Sequence, residues 1–399
     1  MSGIKENILF CYGDSSLAST WSNVPYLMSK NFIDKGIIIN RIDLNLPWLL
    51  RNAFNAIVKF VLIPLEIVNK NYRFMRTPLC RFLTERKVKK AVKKYHNADW
   101  CVFLNFDYTN KYSSIPSLLF SDWTYQMQVE SRTDSKPTKY DEAFYKWQYE
   151  TINAANIAIP MFDDSYESMI SLYPDANIKK ISRNVINSCY DGSLDEDDII
   201  AKKMHSDYII FIGRKEYLHG LNKLIEAMKA MDSSMKLHVI GLARDKMPDA
   251  PEWVCFHGFL KKDNPKQCEL YYNLLLGAKM LVNPQDRWGA YSSLVESMFF
   301  YNPVIVNKNF EQIQLEFGSN IDFGEFCHDS NKENLALSIR TILNASPERY
   351  RQMCLNAHNH VKDYTWSNYC DDMLDIMEAY NNRILWLDNP ECKENYKIA

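Results

Sequence analysis

Short apolar runs recur along the chain, each ended by a turn residue and followed by a stretch of helical spacing. Ile8-Leu9-Phe10-Cys11-Tyr12 runs into Gly13-Asp14-Ser15-Ser16 and reads as a buried strand, a turn and then a helix over 24–35. Gly36 closes that helix, and 37–42 predicts the next strand. Residues 101–104, 118–120 and 157–159 predict three more strands with helices between them. The acidic stretch Ser193-Leu194-Asp195-Glu196-Asp197-Asp198 interrupts this rhythm, and a second cycle begins at Tyr208. Strands are predicted there at 208–212, 236–240, 254–256, 280–282 and 303–306, with helices at 221–231, 268–276 and 292–300. Alternation of this kind gives parallel sheets covered on both faces. The fold class is therefore α/β, with two Rossmann-like doubly wound domains, 1–195 and 196–365. A final helix in 366–399 carries one apolar stripe, Trp366, Cys370, Met373, Met377, Tyr380 and Ile384, that must pack on something.

Composition supports globular domains. Of 399 residues 47% are hydrophobic and 24% charged, too apolar for a mostly disordered chain. No run approaches the ~20 apolar residues of a membrane-spanning helix. The first residues lack the basic-then-apolar layout of a secretion signal, so a cytoplasmic protein is expected. The ten cysteines are scattered without zinc-ligand spacing, which points to buried free thiols.

A net charge of −2 conceals one basic block. Ten Lys and Arg residues between Lys70 and Lys94 face a single acid, Glu85. Val88, Ala91, Val92 and Tyr95 share a helical face there, and Phe54-Asn55-Ala56-Ile57-Val58 upstream opens an apolar stretch. A cationic amphipathic helix over 70–96 beside apolar residues suits an anionic membrane surface, each cation contributing roughly 1 kcal/mol. A solvated helix packed through Val88 and Val92 gives the same pattern. Nucleic acid is not expected as a partner, because no reading motif accompanies the block and the rest of the chain is acidic.

Three segments of the second half fall at the carboxyl edge of its sheet, where open α/β sheets bind ligands. In Gly213-Arg214-Lys215, a tight turn places two cations beside the next helix amino terminus, an arrangement suited to a diphosphate. Asn283-Pro284-Gln285-Asp286-Arg287-Trp288-Gly289-Ala290-Tyr291 leads into a helix whose first amides, near Ser292, Ser293 and Leu294, suit anionic oxygen. Glu296, about one turn in, is placed to accept two hydrogen bonds from a ribose diol. Tyr301-Asn302-Pro303-Val304-Ile305 holds that helix in place. A surface turn and an ordinary first-turn glutamate would show the same residues.

The order and spacing of these segments resemble the nucleotide-sugar domain of retaining, family-4-type glycosyltransferases of GT-B fold, group 1. The resemblance is firm over about 208–319. It rests on Gly213-Arg214 before His219-Gly220, Asn283-Pro284 before the Trp288-Gly289-Ala290-Tyr291 loop, Val295-Glu296-Ser297, and Asn302-Pro303-Val304-Ile305. It implies a GT-B architecture with a cleft between the domains and the last helix packing back on the first. It also implies metal-independent sugar transfer from a nucleotide sugar, held as substrate with no cofactor and no metal, to a glycan or lipid-linked acceptor. Cell-envelope polysaccharide or glycolipid synthesis, at the inner face of the membrane, is the implied setting.

By the same resemblance Arg214 neutralises the donor diphosphate, with Lys215 and His219 beside it, and Glu296 holds the ribose. Trp288, Tyr291, Ser292, Ser293 and Leu294 complete the donor side. The family's first glutamate falls at Trp288, a departure for which Asp286 is the substitute carboxylate. In the first half, Ser121 takes the position of a family histidine and Asp122 follows, making Asp122 and Asp286 the catalytic candidates. Gly13, Asp14 and Ser15 are assigned to the acceptor side. Two other readings share the architecture: a nucleotide-sugar epimerase, and a catalytically degenerate binding protein favoured by Trp288.

Overall fold

The computed structural model describes residues 3–65, 67–68, 73–132, 137–231, 234–285, 291–329 and 331–388. The chain divides into two compact units. The first comprises 1–184 and 366–399, the second 185–365. The division falls ahead of the acidic stretch chosen from the sequence. Val185 and Ile186 are buried, and the Ile186 amide donates to the Tyr364 carbonyl within the second unit. The acidic stretch is the start of helix Glu196–Met204, with Asp195 as its N-cap accepting from the Asp198 amide. Carboxylates in a first turn favour a helix through its dipole, so the acids that looked like a linker begin an element instead.

The first unit holds a five-stranded parallel sheet ordered β2-β1-β3-β4-β5. Its strands are β1 (Glu6–Cys11), β2 (Ile38–Asp43), β3 (Trp100–Phe103), β4 (Ser117–Ser121) and β5 (Ile157–Pro160). Strands covered on both faces read as continuous apolar runs, and every residue of the central β3 and β4 and of the edge strand β5 is buried. Helix Trp366–Asp388 belongs to this unit. Trp366, Cys370, Met373 and Met377 are buried, and the Tyr380 hydroxyl accepts from Asn156 at 2.6 Å. Asp371 and Asp372 pair with Lys35 at 2.8 Å and Arg183 at 2.5 Å. The Ile384 side chain lies outside the described residues.

The second unit holds a six-stranded parallel sheet ordered β11-β10-β9-β6-β7-β8. These are β6 (Tyr208–Ile212), β7 (Lys236–Ile240), β8 (Val254–Phe256), β9 (Leu281–Asn283), β10 (Val304–Asn307) and β11 (Gly324–Cys327). β6, β7 and β8 coincide with their predicted bounds, and β9 and β10 are displaced by one residue. β11 escaped prediction, since Gly324-Glu325-Phe326-Cys327 has too few apolar residues to stand out.

Lys203 is fully buried in this unit. Its Nζ donates to the Leu275 carbonyl and to Asn302 Oδ1, both at 2.7 Å. Burial pulls its ammonium down to about 7. An unfolded chain holds the proton up to the ordinary lysine range, so the unfolded state binds more protons between the two values and stability rises with pH there. Lys203→Met is expected to flatten that rise between about pH 7 and 10, read from denaturant melts of both proteins.

Candidate functional site

In the second unit the order of strands reverses between β6 and β9, the place where open sheets leave a crevice. Gly213 follows β6, and its amide donates to the Ile240 carbonyl of β7 at 2.9 Å. Gly241, at φ +100°, would set a Cβ 2.4 Å from the Gly213 carbonyl oxygen. The two strand ends are thus pinched together in a way that only glycine permits at position 241. Arg214 is exposed and lies with its guanidinium 5.3 Å from the Phe259 ring centroid. Lys215 is exposed in the following turn, and His219 is exposed in helix Leu218–Ala230.

The loop after β9 meets this turn. Gln285 Nε2 donates to the Tyr217 carbonyl at 3.2 Å. A Cβ on Gly220 would fall 2.0 Å from that same nitrogen. Close approach of helix and loop explains the glycine after His219. Asp286 and Trp288 lie outside the described residues. Helix Tyr291–Phe299 then begins with Tyr291 and Leu294 buried in the unit and Ser292 and Ser293 part-exposed. Tyr291 packs edge-on against Phe310, with ring centroids 6.4 Å apart.

Glu296 is 4% exposed, not an open carboxylate. Lys262 Nζ donates to Oε1 at 2.7 Å and the Tyr271 hydroxyl donates to Oε2 at 2.8 Å. The Tyr272 hydroxyl lies 3.4 Å from Oε1. Lys262 also donates to the Asn187 carbonyl at 2.8 Å. Burial, reinforced by the Glu296 charge, pushes the Tyr271 and Tyr272 phenols well above their ordinary range, so both act as neutral donors. A diol reaching Glu296 would share the carboxylate with Lys262 and Tyr271. Arg214 touches Phe259 and Glu296 touches Lys262, so both reach the one loop that leaves β8. Asn264 caps the helix that follows this loop, accepting from the Gln267 amide at 3.2 Å, and that helix carries Tyr271 and Tyr272.

Sequence reasoning missed Lys262, Tyr271 and Tyr272. Their only signal was a lysine pair after a strand end and a tyrosine pair on a helix. The Asp195-Glu196-Asp197 triplet has the spacing of an Asp-x-Asp motif, but Glu196 and Asp197 pair with Arg351 at 2.9 and 2.8 Å while Asp195 caps its helix.

In the first unit the strand order reverses between β1 and β3, and a cavity of about 340 Å³ lies at that edge. Tyr12, Arg76, Asn105, Asp107, Asp122 and Trp123 are among its lining residues. Asp122 Oδ1 accepts from the Trp123 amide at 2.8 Å. Asn105 Oδ1 accepts from the amides of Asp107 and Tyr108, and its Nδ2 has no hydrogen-bond partner among the described residues. Burial raises the Asp107 carboxyl above its ordinary value, opposed by a hydrogen bond from Gln148 at 2.7 Å and by the Arg76 charge. The Arg76 guanidinium sits 3.7 Å from the Tyr125 ring centroid. Aromatic faces with a few planar polar groups, in a volume of this size, suit a small polar ligand such as a sugar ring.

The residues assigned to the acceptor side build the neighbouring turn. Gly13, at φ +108°, donates its amide to Asp43 Oδ1 at 2.8 Å. Asp14 accepts from the Ser16 amide and hydroxyl, which hold its carboxyl below the ordinary value, and Ser15 is buried.

No family model and no curated protein matches the chain. Solved structures match it throughout. Sucrose-phosphate synthase from Thermosynechococcus elongatus is 15% identical, with 96% of this chain and 100% of that one aligned and a TM-score of 0.61. WaaG, a glycosyltransferase involved in lipopolysaccharide biosynthesis, is 14% identical over 94% of this chain and 99% of that one, with a TM-score of 0.60. Anabaena Alr3699/HepE, solved in complex with UDP-glucose, is 14% identical over 93% and 99%, with a TM-score of 0.57. At these identities the likeness is one of fold: the chain has the GT-B fold, with two Rossmann-like units, and its structural neighbours are glycosyltransferases, some with a UDP-sugar bound.

Proposed function

We propose that this protein transfers a sugar from a nucleotide sugar to a glycan or lipid-linked acceptor, with retention of configuration and without a metal ion. The observation that carries the reading is the β6–β9 crevice of the second unit. There the Gly213-Arg214 turn is tied to the loop entering helix Tyr291–Phe299 through Gln285 and Gly220. Breaking the bond between a sugar and a nucleotide places negative charge on the leaving diphosphate. The Arg214 guanidinium, with Lys215 beside it, and the positive end of the helix supply fixed countercharge there. Glu296 holds the ribose from below, oriented by Lys262 and Tyr271. The cavity beside Asp122 in the first unit takes the acceptor. Synthesis of cell-envelope glycan or glycolipid, with the protein at the inner membrane face through residues 70–96, completes the reading.

A second reading has one observation in its favour. The Glu296 carboxylate is already satisfied inside the unit, which suits a protein that binds a glycan or partner without transferring sugar. Nucleotide release separates the two. Incubation with a panel of nucleotide sugars and a glycan acceptor is expected to release the nucleoside diphosphate, whereas a binding protein releases none. A thermal-shift panel identifies the base. A nucleoside diphosphate at one hundred times its Kd contributes about 2.7 kcal/mol and raises the midpoint of a domain of this size by roughly 5–10 °C. No shift with any nucleotide removes the transfer reading and leaves the binding reading, which needs no nucleotide.

A further inference from the structure

The basic helix predicted to lie on a membrane does not offer lipid its apolar face. In helix Pro78–Lys94, Val88, Ala91 and Val92 are buried within the first unit. The exposed apolar surface lies upstream. Helix Trp48–Ile57 has no buried residue, and a further helical turn, Val58–Leu62, continues it. Phe54 and Leu62 pack inward on Val58 and Val68, and Phe54 lies 5.0 Å from the Phe74 ring. On the other side Leu49, Ala53, Ala56 and Phe60 recur at helical intervals and are all exposed. Trp48, Leu49 and Phe60 are 61%, 73% and 71% exposed. Large apolar side chains left together in water mark an interaction surface.

Charge selects the occupant. No acidic residue occurs from Trp48 to Leu65, whereas Arg51 and Lys59 are exposed within that stretch. Helix Pro78–Lys94 is joined to it: Lys87 donates to the Asp43 carbonyl at 3.1 Å, just before Trp48, and the Phe74 amide donates to Asn55 at 3.3 Å. Arg86, Lys89, Lys90 and Lys93 are exposed on that helix. A second copy docked on this face by two-fold symmetry would set like charges against each other. An anionic lipid surface accepts both the apolar stripe and the cations. Among the described residues no helix is long and apolar enough to cross a membrane.

We infer that segment 48–65 is a shallow lipid-inserting anchor for an anionic membrane, and that the basic helix supplies the attraction that brings it there. The inference rests on the membrane reading proposed above and assigns its inserting element.

The test is co-sedimentation of the full chain with phosphatidylcholine vesicles, with and without about one-third phosphatidylglycerol, at low salt and near 1 M salt, where the Debye length is about 3 Å. The native protein is expected to bind the anionic vesicles and to keep part of that binding at high salt. Trp48→Ser/Phe60→Ser is expected to weaken binding on the order of 100-fold and abolish the salt-resistant part, with an unchanged melting midpoint because both side chains are exposed. Lys89→Glu/Lys90→Glu is expected to lose mainly the salt-sensitive part. Binding that salt abolishes completely and the serine variant retains would overturn the anchor while leaving the membrane as partner. No binding to either vesicle at any salt removes the membrane reading itself. A dimer by light scattering that the serine variant converts to monomer would assign the face to self-association and overturn the inference.

Discussion

Replacing Arg214 with alanine is expected to cut turnover of a nucleotide sugar by roughly 100- to 1,000-fold, the range for removing one preorganised donor aimed at developing charge. The loss should fall on turnover more than on donor KM, because the diphosphate gains charge as the sugar bond breaks. Folding should be untouched. Arg214 is exposed, and its contact is the face of Phe259, itself exposed. Arg214→Lys keeps the charge but loses the two-pronged fork, so it should recover only part of the rate. Steady-state kinetics of the three proteins, each checked by its melting curve, decides the matter. Unchanged turnover in the alanine variant would remove the diphosphate assignment.

Replacing Glu296 with alanine is expected to act first on stability. The native carboxylate is buried against the Lys262 ammonium, 12% exposed, and against the Tyr271 hydroxyl. Deleting it strands a nearly buried cation, a change that costs roughly 3–5 kcal/mol when a buried pair is broken from one side. Removing both charges together, as Glu296→Gln with Lys262→Met, should restore most of that loss, and a double-mutant cycle by denaturant melts measures the coupling. An alanine variant as stable as the native chain would contradict the pairing. The ribose role is read separately. If Glu296 holds the diol, the native protein prefers a ribonucleotide over its 2′-deoxy counterpart, and Glu296→Gln narrows that preference without needing to unfold the unit.

Much of the fold is legible in the sequence. Strands β6, β7 and β8 have three to five residues apiece, nearly all apolar and ended by a turn, and such runs have few alternatives once strands and helices alternate. The carboxyl-edge location of Arg214 and of the helix carrying Glu296 followed from the same alternation. The two units divide at 184/185, ahead of the acidic stretch, and a row of acids looks the same in a linker and in the first turn of a capped helix. The Asp195 cap on helix Glu196–Met204 separates the two cases, and the burial of Val185 and Ile186 carries the second unit upstream of it.

Local pattern, then, was enough to establish two parallel sheets, their order along the chain, the cationic turn at Gly213-Arg214 and the density of charge between Lys70 and Lys94. Periodicity is a property of neighbours in sequence, and these features are made by neighbours. Tertiary structure decided which groups share a buried site and which apolar faces stay uncovered. Lys262 and Tyr271 reach Glu296 from 34 and 25 positions away, and Val88 and Val92 are consumed by the first unit while Leu49 and Phe60 are left in water. The reason is that burial depends on what folds over a side chain from elsewhere in the chain, and no local spacing encodes that.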